Sequence, residues 1–438
     1  MDPFQVGIAS VIGLLILLGC GVPVAVSLGI SGFFGLMFTL GPNFALSIVQ
    51  TLPYSVVANY SWAVLPLFVL MGTLAASAGL TMDLFRAANM WLSRLRGGLY
   101  LAVIAGSAGF AAASGSTVVN SVVFTRLALP EMLKYKYSRS LSLGCICAAG
   151  TFAAMIPPSL TMVIYAIITE QSIGKLLLAG VIPGIISAIL YAILILTLVR
   201  FKPSLAPAIP EERFSLMDKM KSLKGIWGIV LLILLVLGGI YSGLFPPSGA
   251  GAVGAFGTFV IALFKLGPKK SWLMEGLRNS AAVACTIFTI LIGGLIFSRL
   301  LVITGVVTEF TQFVSTHIHT AAGIMAAFSL MYIIMGCYLD TASMMIITLP
   351  FVFPVIMQYG INPIWFGIIF VKVIEISVIT PPVGLNLYAV MSGAGKDANF
   401  RDLVFGVIPF IVMDVFTLTI LIIFPGLSTW LPETMMGN

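Results

Sequence analysis

Charge is what this sequence has least of. Of its 438 residues, 22 are Lys or Arg and 15 are Asp or Glu, so 8% are charged, against about 25% in an ordinary soluble domain. With 60% of the chain apolar, that scarcity excludes a water-soluble fold. Histidine is almost absent, at two residues, and no HExxH is present, which removes the usual zinc-hydrolase chemistry. There is no GxxxxGK loop either, so nothing in the chain is suited to drawing directly on a nucleotide. The five cysteines, Cys20, Cys145, Cys147, Cys285 and Cys337, are odd in number and lack ligand spacing. They read as packing residues in apolar stretches, without a disulfide or metal framework. Alternating polar and apolar positions are missing as well, which argues against a transmembrane barrel.

What remains is long apolar runs. At about 20 residues per crossing, the apolar content caps the chain at roughly 13 spans, and ten to twelve membrane elements are expected. The net charge of +7 sits in the loops and therefore reports orientation, with no need of a nucleic-acid partner. Asp2, with no Lys or Arg before the first apolar run, gives the N-terminus the character of a first transmembrane helix in place of a cleavable signal.

The chain repeats itself. Pro23, Pro130, Pro157 and Pro158 return as Pro247, Pro354, Pro381 and Pro382, each 224 residues later. Gly180-Val181-Ile182-Pro183 returns as Gly406-Val407-Ile408-Pro409, and Gly79 as Gly305, at 226. The expected organisation is a first repeat over 1–200, a linker over 201–224 and a second repeat over 225–438. The polar segment from Arg200 to Lys224, with Lys202, Arg213, Lys219, Lys221, Pro203, Pro207 and Pro210, is cytoplasmic by the positive-inside rule.

Equivalent loops differ in charge. Residues 41–61 hold no Lys or Arg, whereas their counterpart holds Lys265, Lys269, Lys270 and Arg278. Arg86, Arg94 and Arg96 face a basic-free 306–322, and Lys134, Lys136 and Arg139 face a basic-free 357–363. Three successive inversions predict repeats of opposite topology with a periplasmic N-terminus. Only Lys175 then falls outside, with Arg126, Arg299 and Lys372 in or near the membrane.

Within each repeat the apolar pattern is broken twice. The first break, Ala113-Ser114-Gly115-Ser116-Thr117, is flanked by arms of about 16 residues, roughly 24 Å each and short of the ~30 Å hydrocarbon core. A re-entrant hairpin over about 98–132 is predicted, and a second over about 322–356, broken near Gly336 to Ser343 with Asp340 224 residues after Ser116. Each hairpin precedes a broken helix: about 139–169, interrupted at Ile156-Pro157-Pro158-Ser159, and about 363–394, interrupted at Thr380-Pro381-Pro382-Val383-Gly384. Paired prolines remove two amide donors and free carbonyl oxygens at mid-membrane depth. Such oxygens, with Ser or Thr hydroxyls, suit a dehydrated alkali cation, and the new half-helix N-termini suit a carboxylate. The simpler reading of any single break is a tolerated kink without a ligand.

Taken together, the Ser114-Gly115-Ser116 tip, the two proline breaks and the Gly336 to Asp340 segment resemble the large membrane subunit of the tripartite ATP-independent periplasmic (TRAP) transporters, over essentially the whole chain. The resemblance implies an all-α, elevator-type secondary transporter of the bacterial inner membrane, coupled to Na+. It further implies import of a small organic acid, of the sialic acid or C4-dicarboxylate class, delivered by a periplasmic substrate-binding protein. A small four-helix membrane subunit would accompany it, as a separate chain because this one starts directly in the large subunit. Carried over by position, it places Ser114, Ser159 and Asp340 near the substrate. One Na+ site would use the backbone of Ser114, Gly115 and Ser116 with Ile156 and Pro157, and a second Gly336 with Thr380 and Pro381. Family members often have Ser at the position of Thr117, which keeps the hydroxyl.

Other residues stand outside this pattern. Asp340 is either functional or the cap of the hairpin's second arm. Lys372 and Glu375 share a helix face and most simply neutralise each other, while Asp414 is an orphan charge in the final apolar helix. His317 and His319 read as solvated loop residues, and Met82 to Arg96 as an interfacial amphipathic helix. The competing functions are a proton-coupled carboxylate carrier, a passive channel and a membrane-embedded hydrolase. The last lacks a second aspartate at the equivalent tip and any intramembrane histidine.

Overall fold

The computed structural model describes residues 2–207, 214–337, 339–395 and 398–436. Pro210 and Arg213 of the linker, Tyr338 of the second tip and the Lys270 side chain lie outside the described residues. Among the described residues the chain is helical throughout, without strands. It opens with α1 (Pro3–Gly19), α2 (Val24–Leu40), α3 (Pro42–Val57), α4 (Val64–Ser77) and α5 (Leu80–Leu92). Next come α6 (Gly98–Ser114), α7 (Thr117–Lys134), α8 (Arg139–Gly150), the single turn α9 (Phe152–Met155), α10 (Leu160–Ile168) and α11 (Ile173–Phe201). After α12 (Leu216–Gly225), the series continues with α13 (Trp227–Tyr241), α14 (Pro247–Leu266), α15 (Lys270–Ile303) and α16 (Val306–His317). It then runs through α17 (Ala321–Gly336), α18 (Thr341–Gln358), α19 (Pro363–Ile379), α20 (Leu385–Ala394), α21 (Phe400–Ile423) and α22 (Gly426–Met436).

Among the described residues, six helices are long and apolar enough to cross a membrane, or eight when the two bent pairs are each taken as one span. Four further apolar helices, α1, α2, α6 and α17, are shorter. The linker is not plain coil: α12 is a helix with a Ser215/Asp218 capping box, which satisfies end donors reciprocally. It lies against α5, where Trp91 donates its indole N–H to the Lys219 carbonyl at 3.3 Å. The amphipathic segment expected over Met82 to Arg96 begins two residues earlier and ends at Leu92. Its Asp83 pairs with Lys265 of α14.

The helices sort into two packed groups. One joins α1 to α4 with α13, α14 and α15, the other joins α6 to α11 with α17 and α19 to α21, and α18 bridges them, lying on α15 as well as on α10, α17 and α19. Within the second group the halves interlock: α7 packs along α20, α8 along α21, and α11 along both α19 and α21. The α8–α21 approach is backbone on backbone. A Cβ on Gly144 would lie 2.0 Å from the Gly406 carbonyl oxygen, and one on Gly406 1.8 Å from that of Ser140. Small residues allow this closeness where lipid gives helices no hydrophobic reason to associate. The Ser140 hydroxyl then donates to the Asp402 carbonyl at 2.7 Å.

All five cysteines are free. Cys145, Cys147 and Cys337 are buried, but Cys20 and Cys285 are exposed. The packing role read for all five from apolar surroundings is therefore corrected for these two. An apolar neighbourhood in a membrane chain includes the outward faces of helices, which sequence does not separate from the core.

Candidate functional site: two hairpin tips against two broken helices

The tip between α6 and α7 is two residues long. Gly115 turns the chain in the left-handed region at φ 61°, where a side chain would be strained. Ser116 then caps α7, its hydroxyl accepting from the Val119 amide at 3.5 Å. The Gly115 carbonyl receives the Leu160 amide at 3.3 Å, so the tip is pinned to the first turn of α10. A Cβ on Gly115 would lie 2.9 Å from the Pro158 carbonyl oxygen. On its other side the tip meets α4: a Cβ on Gly72 would lie 2.7 Å from the Ser114 carbonyl oxygen. The Ser114 hydroxyl is buried and has no hydrogen-bond partner.

The second tip follows the same plan with different residues. The Gly384 amide donates to the Cys337 carbonyl at 3.2 Å, pinning the turn after α17 to the start of α20. Gly336, the last residue of α17, packs against α19, since a Cβ there would be 2.0 Å from the Ser377 hydroxyl. Asp340 caps α18: one carboxylate oxygen accepts from the Ala342 and Ser343 amides at 3.0 and 3.1 Å. The Ser343 hydroxyl donates to its other oxygen. The carboxylate is only half-buried.

The two breaks begin alike and end differently, Ser159 before α10 being extended at φ −115° and Gly384 before α20 lying at φ 51°. Ile156 leaves α9 at φ −79°, ψ 123°, and Thr380 leaves α19 at φ −86°, ψ 128°, both extended as a residue before proline must be. Pro157-Pro158 and Pro381-Pro382 are both cis. Between α8–α9 and α10 the axis bends by 41°. Ser159 restarts the helix as the cap of α10, accepting from the Met162 amide at 3.3 Å and donating to the Ala154 carbonyl. Its hydroxyl is thus fully engaged by its own backbone, unlike that of Ser114. Thr380 likewise donates to the Ile376 carbonyl at 2.6 Å.

The structure therefore brings Gly115, between Ser114 and Ser116, against Pro158 and Leu160, and Cys337 against Pro381 and Gly384, with Gly336 on Ser377 just before the second break. Two polar residues that sequence reasoning passed over join them. Asn386, two residues into α20, is fully buried, and both its amide nitrogen and its amide oxygen lack partners. Asn120 of α7 donates to the Ser107 and Gly150 carbonyls at 3.3 and 3.4 Å and leaves its own oxygen unpartnered. Buried amides normally satisfy both ends. The available signal was their polarity in the first turn after a break or tip, which had been credited only to Ser and Thr.

His317 and His319 are exposed, as read from sequence. Arg126 and Arg299 are exposed too. Of the charged residues in the late apolar helices, Lys372 and Glu375 pair as their spacing on one face predicted, while Asp414 differs from expectation. Asp414 is no orphan: Lys372 reaches it at 2.6 Å and Glu375 at 2.8 Å, and the Tyr191 hydroxyl donates to Asp414 at 2.7 Å. Separation of 42 residues hides the Lys372–Asp414 pair from any helix-spacing rule.

A family model for the "Tripartite ATP-independent periplasmic transporter, DctM component" matches residues 11–427. The C4-dicarboxylate TRAP transporter large permease protein DctM of Vibrio cholerae is 32% identical, over 98% of this chain and 97% of its own length. The sialic acid TRAP transporter large permease protein SiaM of the same organism is 29% identical, over 98% and 99%. An isethionate TRAP transporter permease protein DctMQ of Oleidesulfovibrio alaskensis is 27% identical over 90% of this chain, which matches 61% of that longer protein. Among solved structures, the Alcanivorax borkumensis YdaH transporter shares the fold at a TM-score of 0.64 and 13% identity, over 99% of this chain and 100% of that one. Neisseria gonorrhoeae MtrF does so at 0.60 and 12%, over 90% and 85%.

Proposed function

Because this chain belongs to the DctM family, the large permease component of the tripartite ATP-independent periplasmic transporters, we propose that it imports a small organic acid by coupling to a sodium gradient. It is a multi-pass membrane transporter and not an enzyme, and its family works with a small membrane subunit and a periplasmic binding protein. Relatives named for C4-dicarboxylates and sialic acid point to the same classes here, with the anion handed over by the binding protein.

One observation carries the coupling: two proline breaks, each entered through an extended residue before the first proline and each pinned to a hairpin tip by one amide–carbonyl bond. Non-helical backbone at membrane depth persists where it is buried in protein or lines a polar cavity, and broken helices of this kind hold coupling ions in secondary transporters. The first Na+ would be held at Ser114, Gly115 and Ser116 against Ile156 and Pro157. The second would be held at Gly336, Thr380 and Pro381, with the unpartnered Asn386 oxygen as a further ligand. The unused Ser114 hydroxyl and the Asp340 tip would face the substrate, and Ser159 would act through the shape of the break. The hairpins and broken helices would move as one body against the other helix group, in an elevator cycle between inverted repeats with a periplasmic N-terminus.

The test is uptake of a labelled organic acid into proteoliposomes holding this chain and its small subunit, with binding protein outside, under a sodium or a potassium gradient. Uptake that requires both sodium and the binding protein is expected. Uptake indifferent to sodium but following a proton gradient would replace the coupling ion, and uptake needing neither would indicate a channel.

A further inference from the structure

Lys372, Glu375 and Asp414 are each completely buried, and their charges do not balance. One ammonium faces two carboxylates. The Lys372 ammonium donates to Glu375 at 2.8 Å, to Asp414 at 2.6 Å and to the Ser187 hydroxyl at 3.2 Å, which uses all three of its protons. Asp414 is satisfied on both oxygens, by Lys372 and by Tyr191. Glu375 is not, because its Oε1 has no partner. The imbalance thus falls on one atom.

We propose that Glu375 is a proton-binding site: a proton resident on its unpartnered oxygen makes the cluster electrically neutral and seals the seam where α11 meets α19 and α21. An ionised carboxylate with a bare oxygen in an enclosed apolar site is far costlier than a neutral acid. A metal cation is a poor alternative, since Oε1 is the one unpartnered oxygen the three charged side chains leave to ligate it, whereas a proton needs one oxygen and adds no volume. Among the described residues the surroundings offer no other compensating charge. Cys147 of α8 is near Tyr191, and Tyr165 of α10 and Tyr332 of α17 pack on the Phe370 ring of α19. Tyr388 of α20 and Glu433 of α22 are exposed. Ser187 and Tyr191 come from the first half of the chain and the other three from the second, so the proton sits where the halves are joined.

Infrared difference spectroscopy on the reconstituted complex tests this without reference to transport. At neutral pH the wild type should show the deuterium-sensitive carbonyl stretch of a protonated, buried carboxylic acid. That band should vanish in Glu375→Gln and persist in Asp340→Asn. It should also vanish in Asp414→Asn although Glu375 is still there, because removal of one carboxylate leaves Lys372 and Glu375 as a balanced ion pair. Glu375→Gln, which imitates the neutral acid, should assemble and take up substrate like the wild type. A wild type without the band, a band that survives in Glu375→Gln, or a Glu375→Gln protein that does not assemble would each overturn the proposal.

Discussion

Ser116 and Asp340, 224 residues apart, cap the second arms of the two hairpins in the same way, each through its side-chain oxygen and the amides of the following turn. One cap is a hydroxyl and the other a carboxylate, so the two tips share a fold and differ in charge. A negative group at a helix N-terminus is favoured by the orphan amides and the helix dipole.

This separates two contributions of Asp340 experimentally. Asp340→Ala removes the cap and should lower stability by about 1 kcal/mol, read as a lower melting temperature of the purified complex. Asp340→Ser keeps a cap and should melt near the wild type. If the carboxylate also serves transport, uptake falls in both variants. Full uptake by Asp340→Ser would leave the residue as a cap alone.

Gly336→Ala should fail sterically, because the new methyl would stand 2.0 Å from the Ser377 hydroxyl and 2.4 Å from its Cβ. Overpacking of this kind costs about 1–3 kcal/mol. Gly336→Ala with Ser377→Gly clears both atoms and leaves the Cα at 3.5 Å, an ordinary contact. Recovery of the melting temperature in the double variant, against loss in the single, checks that α17 and α19 touch at this point.

Asn386→Ala breaks no hydrogen bond within the protein, since neither amide atom has a partner. Thermal stability in sodium-free buffer should therefore stay close to the wild type. The stabilisation gained on adding sodium should shrink, because a ligand stabilises the folded state only through its affinity. An unchanged sodium response would remove Asn386 from the proposed ion site.

Lys372→Met leaves the Asp414 carboxylate buried without its cation, beside the neutral Glu375, and breaking a buried pair in this way costs about 3–5 kcal/mol. Lys372→Met with Asp414→Leu deletes both charges and should regain most of that loss. Melting of the single and double variants in parallel measures the coupling directly.

Much of the site was legible because its residues are local in sequence. Two prolines in a row end a helix wherever they fall, and Gly115 between two serines marks a turn by its own conformational freedom. The glycine of the repeated Gly-Val-Ile-Pro element was visible as a repeat, but its purpose was not: Gly406 is small because the Ser140 carbonyl presses on it from α8. Ser159 read as a candidate ligand, yet its hydroxyl is spent on its own helix end. Whether a hydroxyl is free or consumed depends on a cap geometry that composition does not reveal.

The sequence by itself determined that this is a helical membrane protein, where its helices break and which polar groups stand at the breaks, because low charge, apolar length and proline act residue by residue. Only the tertiary structure decided which of those groups have partners. It joined Lys372 to Asp414 across 42 residues, Lys372 to Ser187 across 185 and Asp414 to Tyr191 across 223. It also left Ser114 and Asn386 with unused hydrogen-bonding capacity. Partnership in a buried site is set by the packing of distant helices, and no spacing rule along one helix contains that information.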